Sequence, residues 1–179
     1  MAKAEAKRVD GGDQAAHVAR GLRESALWIF GALILFAALV SYDKADPAFS
    51  STGQPGPVTN LIGPFGAWLS DLFFVLFGLP AYLFPIMLGI AGYHLFQERG
   101  SREPVDRRSA SFRGLGFFLA LASSCGLATL HFSGDGFPNT AGGVVGSLLG
   151  EGLATSMSFL GATLLLFADH DAVSMRHIA

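Results

Sequence analysis

Two acidic side chains interrupt long apolar stretches, and they are the first candidates for chemistry in this sequence. Asp71 follows the residues GAWLS, and Glu151 divides the last apolar region. Carboxylates inside a membrane commonly mark proton or ion paths. Near the outer end of a span, however, an acid reaches headgroup water and gains roughly 0.3–1 kcal/mol beside a helix N-terminus. This second interpretation is favoured for both acids, and a small transporter or channel that uses them is the alternative function.

No other pattern indicates catalysis, a cofactor or a metal. The phosphate-binding pattern GxxxxGK[ST] is absent, because all three lysines precede residue 45 and none follows a glycine. The patterns HExxH, CxxC and GxSxG are absent, and the five histidines are scattered over the tails and membrane edges. The single cysteine, Cys125, is expected to be a small buried side chain. No residue is assigned a catalytic, cofactor-binding or metal-binding role, and the chain is not predicted to be an enzyme.

The elements that must position these residues are membrane helices. Apolar residues make up 51% of the chain and charged residues 15%, against roughly 25% charged in a globular protein. The apolar runs are long and none alternates with a period of two, which predicts helices throughout. Since a spanning helix needs about 20 apolar residues, the fold class is an all-α membrane protein with four transmembrane helices and short loops. The predicted spans are residues 25–42, 72–96 (bent at two prolines), 114–134 and 152–168.

Lysine and arginine counts give the orientation, because short cytoplasmic loops are rich in both residues. The counts from the N-terminal tail through the three loops to the C-terminal tail are 5, 1, 5, 0 and 1. This places both termini in the cytoplasm. Residues 1–21 form a polar tail whose front half is expected to lack regular structure. The five arginines of segment 97–113 accompany three acids, a net charge of +2, and predict orientation without direct DNA binding.

The end of the sequence is predicted to be the weakest part of the membrane domain. Residues 152–168 give a span of seventeen residues, at the lower limit for crossing. Asp169 and Asp171 follow, and drawing a charge to a helix centre costs about 2.5–3.5 kcal/mol. Residues 169–179 are expected to be a short cytoplasmic tail, and length alone leaves open whether the last span is complete.

Three glycines before the last span are spaced four residues apart. Gly142, Gly146 and Gly150 share one helical face and would let a neighbouring helix approach closely. A flexible or interfacial segment outside the membrane is the alternative interpretation. Helix packing is favoured.

The first loop and the apolar region after it resemble a known family. SYDKADPAFS is followed by GPVTNLIGPFGAWLSDLFFVLFGLPAYLFP, and this resembles the membrane-anchor region of FtsK, the bacterial cell-division DNA translocase. The segments GGVVGSLLG and GATLLLFA also resemble that region, so the resemblance covers about residues 22–168. The pattern G-P-x-x-N-x-x-G-x-x-G-A-W-x-x-D falls on Gly56, Pro57, Asn60, Gly63, Gly66, Ala67, Trp68 and Asp71.

The resemblance implies a four-helix domain of the bacterial inner membrane with both ends cytoplasmic. In the family the fourth span continues apolar beyond the position of Ala168, which implies that residues 169–179 are truncated or non-native. It implies a long linker followed by a hexameric motor that uses ATP and magnesium to pump DNA through the closing septum. The anchor's implied role is to tether the translocase at the septum and to help assemble the division machinery. Its implied partners are the lipid bilayer, other division membrane proteins and further copies of the chain.

The motor itself has no counterpart in this sequence, which contains no Walker A pattern. ATP hydrolysis and DNA translocation are therefore not assigned to this polypeptide. The first loop and the glycine-rich segment, both on the outer face, are the expected partner surfaces. An unrelated four-span protein of similar composition is the remaining alternative.

Overall fold

Helices make up all the regular structure in the described part of the chain. The computed structural model describes residues 2–53, 56–98, 107–157, 161 and 163–168. A 3-10 turn, Leu79–Tyr82, joins the second and third helices, and a π-helical turn, Ser147–Glu151, joins the last two. The helices are α1 Ala2–Val40, α2 Pro64–Phe77, α3 Leu83–Glu98, α4 Arg107–His131, α5 Gly143–Gly146 and α6 Gly152–Met157. The predicted helical class is confirmed.

Three helical segments of the described residues are long and apolar enough to cross a membrane. They are Val18–Val40, Leu79–Gln97 and Ser111–His131. Each overlaps one of the first three predicted spans, with boundaries moved toward the N-terminus or shortened. Part of the fourth predicted span, 152–168, and all of the tail 169–179 lie outside the described residues, so both stay predictions.

Two expectations about helix boundaries are wrong. Helix α1 begins at Ala2, so the N-terminal tail is helical; its alanine, glutamate, lysine and arginine residues are strong helix formers. Segment 72–96 is not one bent helix, because α2 ends at Phe77 and α3 begins at Leu83. A proline clashes with the carbonyl group four residues earlier in a helix, so Pro80 cannot continue α2. Gly78 ends the helix with a φ of 59°, a conformation that glycine adopts without steric cost.

The chain divides into two compact units. The described parts of the first unit are residues 2–35 and 84–98. In this unit α1 and α3 approach closely at Gly92, where an added Cβ would lie 2.8 Å from Cγ1 of Ile29 and 3.1 Å from Cβ of Trp28. A glycine at this position therefore allows the two helices to pack.

The second unit, residues 36–83 and 105–179, contains the remaining elements. Phe74 lies at the centre of an aromatic cluster, with ring centroids 4.9 Å from Tyr42, 5.7 Å from Tyr82 and 5.3 Å from Phe137. This cluster joins the end of α1, helix α2, the 3-10 turn and the loop after α4. The buried apolar residues of this unit are Ala38, Leu39, Ala67, Phe74, Ala81, Leu121, Cys125, Ala128, Ala141 and Leu166.

Candidate interaction surface

The sequence-predicted site residues near Trp68 lie in a part of the second unit that we call the cap. The cap consists of the first loop (41–53 and 56–63), helix α2 and the second loop (132–142). It contains no metal cluster: within the described residues no three His, Cys, Asp or Glu side chains lie together. Its polar groups instead fasten the two loops to α2.

Asp71 holds the first loop against α2. Its side chain is 1% exposed. One carboxylate oxygen accepts hydrogen bonds from the Tyr42 hydroxyl (3.0 Å) and the Ser50 hydroxyl (2.9 Å), and the other accepts the Ser50 backbone N–H (2.6 Å). Hydrogen bonds to a charged acceptor are shorter and about twice as strong as neutral ones. This carboxylate therefore ties both the end of the first span and the middle of the loop to α2.

The structure corrects the sequence-based position of Asp71. Helix α2 begins at Pro64 and has no acid in its first turn, so Asp71 lies in the middle of the helix and is buried from water. The charge is tolerated there because three donors compensate for its burial. Glu151, the other acid, ends the π-helical turn with an exposed side chain.

A second buried carboxylate, Asp46, folds the first loop onto itself. Its side chain is 3% exposed and accepts the backbone N–H groups of Thr59 (2.8 Å) and Asn60 (3.0 Å). The Thr59 hydroxyl lies 3.1 and 3.2 Å from the two carboxylate oxygens. The Asp46 side chain thereby joins the beginning of the first loop to its end.

Asn60 connects this closed loop to the end of α1. Its amide nitrogen donates to the carbonyl oxygens of Ala38 (2.9 Å) and Ser41 (3.2 Å), and its amide oxygen accepts the Ile62 N–H (3.0 Å). The last carbonyl groups of a helix have no partner within the helix. Asn60, which is 4% exposed, supplies one, so its position within the family pattern has a structural reason.

The glycines of the pattern have different surroundings. Gly63 has a φ of 75° and precedes α2, and an added Cβ there would meet open space. Gly66 faces Asn60 and Ile62 so closely that a Cβ would collide with both side chains. Gly56 and its neighbour Pro57 are exposed.

The second loop fastens the C-terminal end of α2. The Asn139 amide nitrogen donates to the Val75 carbonyl (3.5 Å), and the Leu79 N–H donates to the Ala141 carbonyl (2.7 Å). From α4, the Cys125 thiol lies 3.5 Å from the carbonyl oxygen of Phe77. The Asn139 amide and the Cys125 thiol thus contact carbonyl groups of the last turn of α2, where a helix provides no partner of its own.

An open groove of about 550 Å³ lies between the first loop and the start of α2. Residues 47–52 form one wall, and Pro64 and Trp68 form the other. Phe49 and Trp68 meet edge to face, with centroids 6.1 Å apart and an interplanar angle of 88°. Both rings are largely exposed, at 55% and 44%. Trp68 of the family pattern therefore points outward while Asn60 and Asp71 point inward.

Tyr42 is the second residue after the end of α1 and lies outside the span that ends at Val40. Burial raises the pKa of the Tyr42 phenol, and the hydrogen bond to the Asp71 carboxylate raises this pKa further. Ionised Tyr42 would place a second negative charge beside Asp71. The phenol therefore stays a hydrogen-bond donor at neutral pH.

The glycine-rich segment lies against the backbone of α4. An added Cβ at Gly142 or Gly146 would collide with the Cys125 carbonyl oxygen, and one at Gly150 would lie 2.8 Å from the Gly126 carbonyl oxygen. The three glycines thus face one side, toward α4. The intervening π-helical turn begins immediately after Gly146.

Sequence reasoning singled out Asp71 and Asn60 but not their partners. Asp46 belongs to the stretch SYDKADPAFS that resembles the family, and this resemblance was the only indication in the sequence that Asp46 is important. Asp43, three residues earlier, is exposed, and the sequence alone does not distinguish the two acids. Both oxygens of Asp71 accept hydrogen bonds from donors in the first loop, and this arrangement is suited to holding a loop. The contacts of the described residues therefore give no support to the alternative in which Asp71 serves transport.

Several apolar helices and a polar cap on the ends of two of them define a multi-pass helical membrane domain. Residues 19–170 match the family model of the 4TM region of DNA translocase FtsK/SpoIIIE. The chain belongs to this family.

Curated relatives agree with the family model. The DNA translocase FtsK of Pseudomonas syringae pv. tomato is 37% identical over 151 residues, which is 82% of this chain and 19% of the relative. The DNA translocases FtsK of Vibrio parahaemolyticus and Vibrio vulnificus are 37% and 38% identical over 77% and 79% of this chain, and over 13% and 14% of their own lengths. The chain thus spans less than a fifth of each of these relatives. No solved structure matches it.

Proposed function

We propose that this chain is the membrane anchor of an FtsK-type DNA translocase, and that it tethers the translocase to the division septum and helps assemble the division machinery. The observation that carries the proposal is the fastened first loop. Asp71 and Asp46, both buried, hold it at several points. A loop of fixed shape offers a partner a surface that loses little entropy on binding.

The orientation supports the same role. The lysine and arginine counts favour the proposed orientation, in which a bacterial inner-membrane protein crosses four times and has both termini in the cytoplasm. The cap then faces outward, where it is available to other division membrane proteins. In the family pattern, Gly56 and Pro57 are the exposed loop residues that a partner can reach, whereas Asn60, Gly66 and Asp71 shape the surface from inside.

The motor functions belong to the longer translocase in this proposal. The relatives are named DNA translocases, and ATP, magnesium, DNA and a hexameric assembly are assigned to the part of such a protein beyond this domain. The chain itself has no Walker A pattern and acts without ATP hydrolysis or direct DNA contact. Copies of the anchor come together through that hexamer.

Localisation tests the proposal. A fluorescent protein fused to the complete chain should concentrate at midcell in dividing bacteria. Trp68→Ala should reduce this concentration, because it removes the ring that packs against Phe49 of the first loop. The matched control is Trp28→Ala, which removes an exposed ring from α1 away from the loops. An even membrane signal for the unaltered chain contradicts the proposed role.

The sidedness can be tested on the same protein. Lys44→Cys places a thiol on an exposed residue of the first loop, and the remaining cysteine, Cys125, is buried. A membrane-impermeant maleimide added to cells with a permeabilised outer membrane should label the variant but not the parent. Labelling that requires rupture of the inner membrane would place the cap in the cytoplasm.

A further inference from the structure

Helix α2 has its polar residues on the inside and its apolar residues on the outside. Ser70 and Asp71 are the polar residues among its fourteen, and they are 0% and 1% exposed. The outward residues include Phe65 at 64%, Trp68 at 44% and Leu76 at 36% exposure. A surface helix of a water-soluble domain shows the opposite arrangement, with polar residues toward solvent. Water is therefore an unfavourable neighbour for the outward face of α2.

The length and contacts of α2 place it at the surface of the bilayer. Fourteen residues make about 21 Å of helix at 1.5 Å per residue, which is too short for a hydrocarbon core of about 30 Å. Asp71 bonds Tyr42, just past the end of the span Val18–Val40. Phe74 packs on Tyr82, near the start of the span Leu79–Gln97. The helix thus lies level with the ends of two spans.

We infer that α2 lies along the membrane surface, with its outward face inserted into lipid at the boundary between headgroups and acyl chains. Interfacial helices insert apolar faces about 5–10 Å into this boundary, and tryptophan is enriched at this depth. The exposed Leu61, at 76%, extends the apolar face just before α2. This lipid contact adjoins the ends of two spans, at Tyr42 and Tyr82, and goes beyond the proposed anchor function.

The loop side of the groove matches this position. Thr52, on the loop wall of the groove, is an exposed polar residue near the Phe49–Trp68 ring pair. In the inferred position its side chain meets headgroups and water, while the rings insert toward the acyl chains. The occupant inferred for the apolar face is phospholipid; a partner protein or a second copy of the chain would give different results in the experiment below.

Tryptophan fluorescence in vesicles measures the occupant directly. The chain contains two tryptophans, so Trp28→Phe leaves Trp68 as the single reporter. The variant is reconstituted into vesicles of phosphatidylethanolamine and phosphatidylglycerol in which part of the lipid carries bromine, either near the headgroup end of the acyl chain or near its middle. Aqueous iodide is the opposing quencher. A water-exposed control is Lys44→Trp in a chain that also carries Trp28→Phe and Trp68→Phe.

The lipid position predicts that brominated lipid removes most of the Trp68 emission. Bromine near the headgroup should quench more strongly than bromine at mid-chain, iodide should remove only a minor part, and the control should show the reverse preference. Strong iodide quenching with weak bromine quenching would overturn the inference and leave the face for a partner protein. Protection from both quenchers that increases with the protein-to-lipid ratio would also overturn it, in favour of a second copy of the chain.

A charge substitution gives a second measurement that does not depend on Trp68. Phe65→Lys should shift the Trp68 emission of the single-tryptophan chain to longer wavelength and increase iodide quenching several-fold, because a lysine draws the start of α2 toward water. Phe65→Leu is the matched control and should leave both quantities unchanged. An unchanged iodide response in the folded Phe65→Lys variant would contradict the lipid position.

Discussion

Replacing Asp71 by asparagine tests whether the buried carboxylate holds the first loop. The amide can turn its oxygen to the Ser50 N–H and its nitrogen to the two hydroxyl oxygens that Asp71 contacts, so three hydrogen bonds can persist, with the two hydroxyls now acting as acceptors. What is lost is the charge. Hydrogen bonds to charged groups contribute about 1.5–3 kcal/mol and neutral ones about 0.5–1.5. Three bonds thus weaken by about 1 kcal/mol each, and the expected cost of closing the loop is about 2–3 kcal/mol.

Trypsin reports this loss at one peptide bond. Lys44 is the only lysine or arginine between Arg23 and Arg99, and it lies between Tyr42 and Ser50, the residues fastened by Asp71. If the loop opens and closes faster than it is cut, the cleavage rate follows the population of the open form. At tenfold per 1.4 kcal/mol, the rate in detergent micelles should rise roughly 30- to 150-fold. Mass spectrometry of the fragments identifies the cut.

The control is the other acid that the sequence singled out. Glu151→Gln neutralises an exposed carboxylate, and exposed substitutions usually change stability by less than about 0.5 kcal/mol. Cleavage at Lys44 should therefore stay within about twofold of the parent. If Asp71→Asn is cut no faster than Glu151→Gln, the hydrogen bonds seen at Asp71 do not hold the loop.

Three further predictions concern the cap and the glycine-rich segment that packs on α4. Tyr42→Phe should remove the tyrosine that ionises well above the usual pKa of about 10, so the high-pH phase of phenolate absorbance should be missing. Because the pKa of Tyr42 is raised in the folded protein, the stability that the phenol contributes is complete below pH 10. It is lost as the pH rises through the raised value. Gly66→Ala forces a methyl group into a buried loop side chain and should cost about 1–3 kcal/mol in unfolding by SDS, while Gly56→Ala in open space should be nearly neutral. Gly146→Ala should destabilise the protein by a similar amount, because its Cβ meets the backbone of α4. Gly152→Ala has open space around the added Cβ and should stabilise the protein by about 0.5–1 kcal/mol. Equal effects of Gly66→Ala and Gly56→Ala, or of Gly146→Ala and Gly152→Ala, would contradict the packing described.

The helical class and the approximate positions of three spans could be predicted from the sequence, because long uncharged apolar runs determine both. The break between α2 and α3 was not predicted, since Gly78 takes its conformation where Leu79 bonds Ala141, more than sixty residues away. The proline pair suggested a bend without showing that the helix stops.

Within the cap, the sequence indicated which residues matter but not how. The family pattern includes Asn60 and Asp71, both of which proved to be buried hydrogen-bonding centres. The burial of Asp46 instead of Asp43 depends on the backbone amides of Thr59 and Asn60, which only the folded loop brings near. The pattern of polar and apolar residues also did not predict that Asp71, the acid of α2, is buried.

The hydrogen bonds of Asp71 also determine when, during synthesis, the first loop can be fastened. Its partners Tyr42 and Ser50 precede it by 29 and 21 residues, so the first span and its loop emerge from the ribosome well before the carboxylate that fastens them. Until then the polar groups of the loop are best satisfied by water. The first span is therefore expected to enter the membrane with its far end unfastened. The end of the first span is held in place only after α2 has been synthesised, so α2 completes the assembly of the cap.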